Sequence, residues 1–243
     1  MGAHADRSTL DLGVFRRACQ LCSLRELCWP MGLDPLDLDR LQSMVRHAGP
    51  LKAGSYLFRL GDQFTAIYAV RTGCIKSYSI DATGHELVHG FHLRGELLGF
   101  DAIYPDRHQC NALILESSSV CVIPYMDISR LSVEFHSLQG QVLRLMSREF
   151  SKQLMYAEGT GATQRIVRFL LDMHSRLHQP GTGDFEFTLP MSRENISSYL
   201  GITAETLSRL LANLQRKGLL DVDRRHIRLM NPIRLDLISQ GIN

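Results

Sequence analysis

The stretch from Met191 to Leu214, MSRENISSYLGITAETLSRLLANL, leaves little freedom in how it can fold. Ser192 stands where a hydroxyl can accept the orphan amides that open a helix, and Thr203 stands in the same relation to a second one. Between them Gly201 offers a backbone position for the tight turn. The first helix is predicted to bury Ile196, Tyr199 and Leu200. The second buries Leu207, Leu210, Leu211 and Leu214, a stripe at i, i+3, i+4 and i+7. Glu205, Ser208 and Arg209 fall on a different face, within the first two turns. Two capped helices about a glycine turn form a helix-turn-helix, whose second helix meets base edges with its N-terminal part. Arginine can fork onto guanine O6 and N7, glutamate can accept from cytosine N4, and serine is tolerant. The plainer alternative is a helical hairpin with a solvated polar face, Glu205 and Arg209 forming an i, i+4 ion pair. Cap, turn glycine, apolar stripe and polar triplet agree on the reader. Leu219–Val222 and His226–Met230, joined across Asp223-Arg224-Arg225, read as a winged hairpin carrying phosphate-directed arginines.

Upstream the period changes. From about Leu51 to Pro124 short β-rich runs alternate with glycines: Ser55–Leu60, Ala66–Arg71, Cys74–Ile80, Glu86–Leu93, Asn111–Glu116 and Ser119–Pro124. Asp81-Ala82-Thr83-Gly84 joins two of them as a hairpin. Short strands at this spacing predict a small antiparallel barrel or jelly roll. From Ser137 to Glu158 the spacing turns helical, with Leu138, Val142, Leu145, Met146 and Phe150 on one stripe, and Gly159-Thr160-Gly161 ends it. Such a helix packs on its own β domain or pairs with its twin. The chain of 243 residues, 44% apolar and 21% charged, is long enough to bury a core without disulfide staples. No run approaches the ~18 apolar residues of a membrane span. The N-terminus lacks the basic-then-apolar order of a signal peptide, so a cytoplasmic location without membrane contact is expected. Residues 161–243 hold 11 Lys/Arg against 8 Asp/Glu, a basic surplus compatible with nucleic acid.

Six cysteines remain to be explained: Cys19, Cys22, Cys28, Cys74, Cys110 and Cys121. In a reducing compartment an even count is poor support for disulfides. Three crowd into Cys19-x2-Cys22-x5-Cys28, where thiolates can converge on one centre. The spacing lacks the second Cys-x2-Cys pair of a zinc ribbon, and no His-x3-5-His pair follows at finger distance. Thiolate-only ligation also suits an iron–sulfur cluster, which needs a fourth cysteine from afar. Spacing does not choose among Cys74, Cys110 and Cys121.

These features together resemble the cyclic AMP receptor protein/FNR superfamily along nearly the full chain, and within it the FNR subgroup of oxygen-responsive regulators. The match is carried by the cysteine segment, by GFHLRGELLGFDAI from Gly90, by SVCVIP around Cys121 and by AETLSR from Ala204 to Arg209. The resemblance implies an α+β chain. Its parts are a Cys-rich segment (1–30), an antiparallel β-roll like cyclic-nucleotide-binding domains (31–136), a dimerisation helix (137–160) and a winged helix-turn-helix domain (161–243). It further implies a [4Fe–4S] cluster on Cys19, Cys22, Cys28 and Cys121, with Ser23 and Leu27 flanking it. Glu205, Ser208 and Arg209 would read a palindrome of the type TTGAT-N4-ATCAA in double-stranded DNA as a homodimer. Thr72 and the hairpin from Ile80 to Glu86 would face RNA polymerase.

The chain also departs from the pattern. Cyclic-nucleotide members follow Gly-Glu-Leu with an Arg-Ser pair whose arginine neutralises the phosphate. Here Gly95-Glu96-Leu97 is followed instead by Asn111-Ala112, so cyclic AMP is not the expected ligand. The segment between Met146 and Arg165 is about three residues shorter than in FNR proteins, close to one helical turn. His85 replaces an acidic residue of the polymerase-facing hairpin, and Leu21 a polar residue of the cysteine loop. The competing sensor chemistry is zinc or thiol oxidation. No nucleophile triad, phosphate loop or His-rich motif points to an enzyme.

Overall fold

The computed structural model describes residues 44–126, 161–177 and 185–242, with positions 140, 143, 144, 146, 147 and 151 in between. The expected ligands Cys19, Cys22 and Cys28, with Leu21, Ser23 and Leu27, lie outside the described residues. So does most of the helix expected over 137–160.

Among the described residues the N-terminal unit has eight antiparallel strands: β1 (Arg46–Leu51), β2 (Tyr56–Phe58), β3 (Ala66–Thr72), β4 (Ile75–Ile80), β5 (Glu86–His92), β6 (Leu97–Leu98), β7 (Asn111–Ile114) and β8 (Ser118–Pro124). They make two four-stranded sheets, ordered β1-β8-β3-β6 and β2-β7-β4-β5. Successive side chains point to opposite faces, so each sheet can turn one apolar face inward. Leu51, Val70 and Val120 from one sheet meet Phe58, Ile75, Ala112 and Ile114 from the other. Burying each of the larger of these side chains stabilises the fold by about 1.5–3 kcal/mol. Asp81 closes the β4–β5 hairpin, its Oδ1 accepting from Thr83 N at 2.8 Å, Thr83 Oγ1 at 2.6 Å and His85 N at 3.0 Å. The ladder slips between Ser77 and Tyr78, so that β5 carries a bulge at His89.

The C-terminal unit begins with α1 (Ala162–Leu177), which buries Ile166, Val167, Phe169, Leu170 and Met173. After β9 (Glu186–Thr188) come α2 (Arg193–Leu200), α3 (Ala204–Arg216), β10 (Leu220–Asp223), β11 (His226–Leu229) and α4 (Pro232–Ser239). The small sheet runs β10-β11-β9. α4 starts on Pro232 behind Asn231, whose Oδ1 accepts from Arg234 N at 3.0 Å. It is tied to α1 by Arg168 Nε donating to Ser239 O at 2.8 Å.

The jelly-roll reading and the winged helix-turn-helix match this architecture, with differences at the edges. β1 starts five residues before the β block was expected to open, because Gly49-Pro50 inside it reads as a turn. α4 follows the wing, where no further element was predicted. Its apolar residues Ile233, Leu235, Leu237 and Ile238 show no single stripe, and Pro232 reads as a breaker. Tyr199 is half-buried rather than buried, for a reason that lies outside its own domain.

Candidate nucleic-acid interface

The helix-turn-helix is built by local chemistry. Ser192 Oγ accepts from Asn195 N at 3.2 Å and caps α2. Gly201 ends that helix at φ 61°, ψ 41°, a left-handed conformation in which glycine has no Cβ to clash. Thr203 Oγ1 then accepts from Thr206 N at 3.1 Å and opens α3. Each such cap is worth about 1 kcal/mol. The glycine sets the angle between the helices, and Leu207, Leu211 and Leu214 fix the rotation of α3 by burying its apolar stripe.

That rotation leaves Glu205, Ser208 and Arg209 exposed together on the first turns of α3. Among the described residues no ion pair joins Glu205 to Arg209, so both charged groups stay available. The N-terminus of α3 adds the positive end of the helix dipole beside them, which favours an approaching phosphate. Beside α2, the wing turns at Arg224, which holds φ at 53°, and Arg224 and Arg225 are both exposed there. Arg225 Nη1 reaches Pro190 O at 3.4 Å, a long and weak contact. Glu194, at the start of α2, has its carboxyl held below the usual range by its own backbone amide, then by Ser192 and the charge of Arg225. On the flank of the wing Glu186 pairs with Arg228 and lies 3.2 Å from His226 Nε2.

The three downstream cysteines occupy different environments. Cys74 is fully buried and Cys110 is 8% exposed, whereas Cys121 is half-buried on β8 opposite His47 of β1 and Ala69 of β3. Burial, with the Glu116 carboxylate adding to it, raises the Cys74 thiol. Burial and the neighbouring Asp101 push Cys110 up to about 12. Asp101 accepts from Gln109 N at 2.7 Å, Cys110 Sγ at 3.5 Å and His108 Nδ1 at 3.4 Å. Burial works against its charge, but these donors prevail and hold its carboxyl below the ordinary range. Among the described residues no group of three or more His, Cys, Asp or Glu is placed to hold a metal. No helix among them is long and apolar enough to cross a membrane.

Where a cyclic-nucleotide site would carry its arginine, Asn111 Oδ1 accepts from Leu60 N at 3.1 Å and Ala112 is buried in the core. A cavity of ≈ 460 Å³ lies beside β5 and β6, lined in part by Phe58, Ser77, Leu98 and Cys110, and closed by Arg176 and Tyr199 from the C-terminal unit.

That closure belongs to a docking contact the sequence did not announce. Lys76 of β4, only 3% exposed, pairs with Glu86 and donates to Asn195 Oδ1 of α2 at 2.9 Å. Ser198 of α2 donates to Glu86 O at 2.6 Å and accepts from Val88 N at 3.0 Å. Phe91 of β5 sits edge-on to Tyr199 and Phe169, with ring centroids 5.3 and 6.2 Å away. Tyr199 packs on both phenylalanine rings and also lines the cavity, which leaves it half-buried. In sequence Tyr199, Glu86, Phe91 and Glu96 stood out for other reasons, and nothing linked them across the two units.

Comparison with known proteins agrees with this geometry. Residues 164–238 match the family model of the Crp-like helix-turn-helix domain, and residues 49–134 that of the cyclic nucleotide-binding domain. The fumarate and nitrate reduction regulatory protein of Vibrio cholerae is 40% identical over 220 residues, covering 89% of this chain and 88% of that protein. The transcriptional activator protein Anr of Pseudomonas protegens is 36% identical over 226 residues, covering 92% and 93%. Among solved structures, FixK2 of Bradyrhizobium japonicum gives a TM-score of 0.70 at 26% identity, covering 79% of this chain and 94% of that one. With both halves matched and relatives aligned over 220 residues or more, the chain belongs to the CRP/FNR superfamily of helix-turn-helix transcription regulators, in the group of the fumarate and nitrate reduction regulatory proteins.

Proposed function

We propose that this protein is a cytoplasmic, homodimeric, sequence-specific regulator that controls anaerobic gene expression by sensing oxygen through a [4Fe–4S] cluster held by Cys19, Cys22, Cys28 and Cys121. The observation that carries the DNA-binding part is the exposed triplet Glu205, Ser208 and Arg209 on the capped first turns of α3. Arg209 forks onto guanine and Glu205 selects its neighbour in a palindrome resembling TTGAT-N4-ATCAA. The work is divided as 1–30 (cysteine segment), 31–136 (β-roll), 137–160 (dimerisation helix) and 161–243 (winged helix-turn-helix). Leu143 is 66% exposed and Met146 is 41% exposed, which supports a twin chain packing along that helix. Thr72 and the Ile80–Glu86 hairpin form the face toward RNA polymerase. Ile80 and Leu87, 57% and 47% exposed, give it apolar content. The protein acts by binding rather than by catalysis, and Asn111-Ala112 supports a β-roll that does not take cyclic AMP.

The donor set suits the cluster. Four thiolates are its usual ligands, and of the three downstream cysteines Cys121 is the most exposed. Cys74 and Cys110 are both buried, and burial opposes their ionisation. When bound, the cluster supplies an oxygen-labile cross-link between the N-terminal segment and β8. The chain's own part is to present Cys121 from a strand paired on both sides, with β1 and with β3.

The test is the iron and acid-labile sulfide content of protein isolated without oxygen. The wild type and Cys74→Ser are expected brown and bleached by air, and Cys121→Ser colourless. Colourless wild type with stoichiometric zinc would replace this sensor by the zinc reading. Cluster loss in the Cys74 variant would reassign the fourth ligand.

A further inference from the structure

We propose that Arg176 is a positioning residue for DNA reading: from the last turn of α1 it grips the β-roll and fixes the angle at which α3 is presented. Its Nη2 donates to Glu96 Oε2 at 2.8 Å and to the carbonyl of Phe91, while Nη1 donates to Asp172 Oδ2 at 2.7 Å. The guanidinium therefore engages one acceptor of its own helix and two of the other domain. The planar fork of arginine can hold three acceptors in fixed relation, which the point charge of lysine cannot. Arg176 is 16% exposed and Glu96 13%, so the pair is largely withdrawn from water. Glu96 is itself held, its Oε2 also accepting from Leu93 N at 2.9 Å.

One contact would still let the head swivel. Here the Arg176 anchor, the Phe91 rings against Phe169 and Tyr199, and the Lys76 and Ser198 bonds at α2 lie at separate places along one face. Together they remove rotation about any single point. None of them is made by α3, whose polar triplet stays exposed. The domain is thus gripped through α1 and α2, and the reading surface is left clear. A withdrawn charge pair also resists slippage, because parting it takes from Glu96 its counter-charge and leaves Arg176 with Asp172 alone.

This proposal rests on the reading of the chain as a dimer on a palindrome, since two heads at a fixed angle demand one distance between half-sites. A loosened head keeps Arg209 and its base contacts but tolerates other distances. The experiment uses full-length protein isolated anaerobically as wild type, Arg176→Gln and Arg176→Lys. Each is titrated with palindromes whose spacers are three to six base pairs and with a single half-site. Amide exchange at Val88, bonded across the interface to Ser198, is followed in the absence of DNA.

The wild type is expected to prefer the four-base-pair spacer by about tenfold or more, a difference of ~1.4 kcal/mol. Arg176→Gln should lose most of that preference, bind the single half-site within about twofold of wild type, and exchange Val88 at least about tenfold faster. Arg176→Lys should recover part of both effects, which a purely structural role of charge would not grade. If Arg176→Gln fails to give a cooperative melting transition, Arg176→Lys decides alone. A variant that exchanges fast yet keeps the spacing preference, or one that changes neither, overturns the proposal. A wild type indifferent to spacing sinks the palindrome reading instead, and the anchoring then stands or falls on the exchange of Val88.

Discussion

Gly73 and Gly201 both hold left-handed backbone, at φ 84° and 61°, yet alanine should cost very different amounts at the two. For an L-residue this conformation is disfavoured by about 1–2 kcal/mol, and that is the whole expected cost at Gly201, where an added Cβ meets nothing within 4 Å. At Gly73 the same Cβ would stand 2.1 Å from Ser118 Oγ, 2.7 Å from Ser117 O and 2.8 Å from Ser118 Cα. Ser118 Oγ is committed to Glu116 O at 2.6 Å, and the other two atoms are backbone. Relief requires the start of β8 to move away from β3, an overpacking cost of about 1–3 kcal/mol on top of the strain. Gly73→Ala should therefore destabilise by about 2–5 kcal/mol and Gly201→Ala by about 1–2 kcal/mol. For a chain of this size each kcal/mol is about 2–4 °C in Tm. Thermal melts of the two variants against wild type compare them directly. Gly201→Asn serves as a control that should cost less than alanine, since asparagine tolerates this conformation. A Gly73→Ala protein that melts no lower than Gly201→Ala would falsify the argument from space.

Arg209→Ala should cost about 1–3 kcal/mol per half-site and relax preference at the G·C pair, measured by titration against the palindrome and a base-substituted control. Unchanged discrimination would remove α3 from the role of reader. Arg224→Ala should instead weaken all sequences alike and lower the slope of log affinity against log salt by roughly one unit; a sequence-selective loss would mean that the wing reads bases. The Asp101 carboxyl is depressed in the folded state, so its stabilisation is complete above the ordinary carboxylate pKa of about 3.9 and is lost as pH falls through the lower folded value. Asp101→Asn should flatten that acid limb of a stability-against-pH curve, and an unchanged limb would assign it to other carboxyls. Cys74 and Cys110 should resist iodoacetamide at pH 8 in native protein and react once it is denatured; fast native labelling would contradict their burial.

The reading head was legible because its signals are local. Ser192, Gly201 and Thr203 act on neighbours within a few residues, and the stripe of α3 follows from one helical period. The β-roll was legible for the same reason, from glycines between alternating runs. What stayed hidden lies between domains. In β4 the alternation implies an exposed Lys76, but Ile75, Lys76, Ser77 and Tyr78 are all buried, because one face meets the β-roll core and the other meets α2. Lys76 finds Asn195 across 119 residues, and Arg176 finds Glu96 across 80. Pairs at that separation leave no mark on sequence periodicity. α4 escaped for a different reason: its apolar residues encircle the helix and its first residue is a proline.

The docking also bears on the proposal that this β-roll does not take a cyclic nucleotide. A ligand phosphate needs a cation, and the positions that would supply it hold Asn111, turned to Leu60 N, and Ala112, buried in the core. Ligand hydroxyls need a free acceptor, and Glu96 already shares Oε2 between Leu93 N and Arg176. Arg176, which helps close the cavity, is a cation in place, but its charge is met by two carboxylates. Burial works against that charge, and Glu96 and Asp172 outweigh burial and raise its pKa. To recruit either group, a ligand would have to part a pair largely withdrawn from water, and to release the C-terminal unit in doing so. Of the polar groups around the cavity, Arg176 is thus committed to holding the two domains together, while Ser77 with His92 and Asp101 with Gln109 bond within the β-roll. Cys121, the proposed sensor ligand on β8, is not among the residues of that contact.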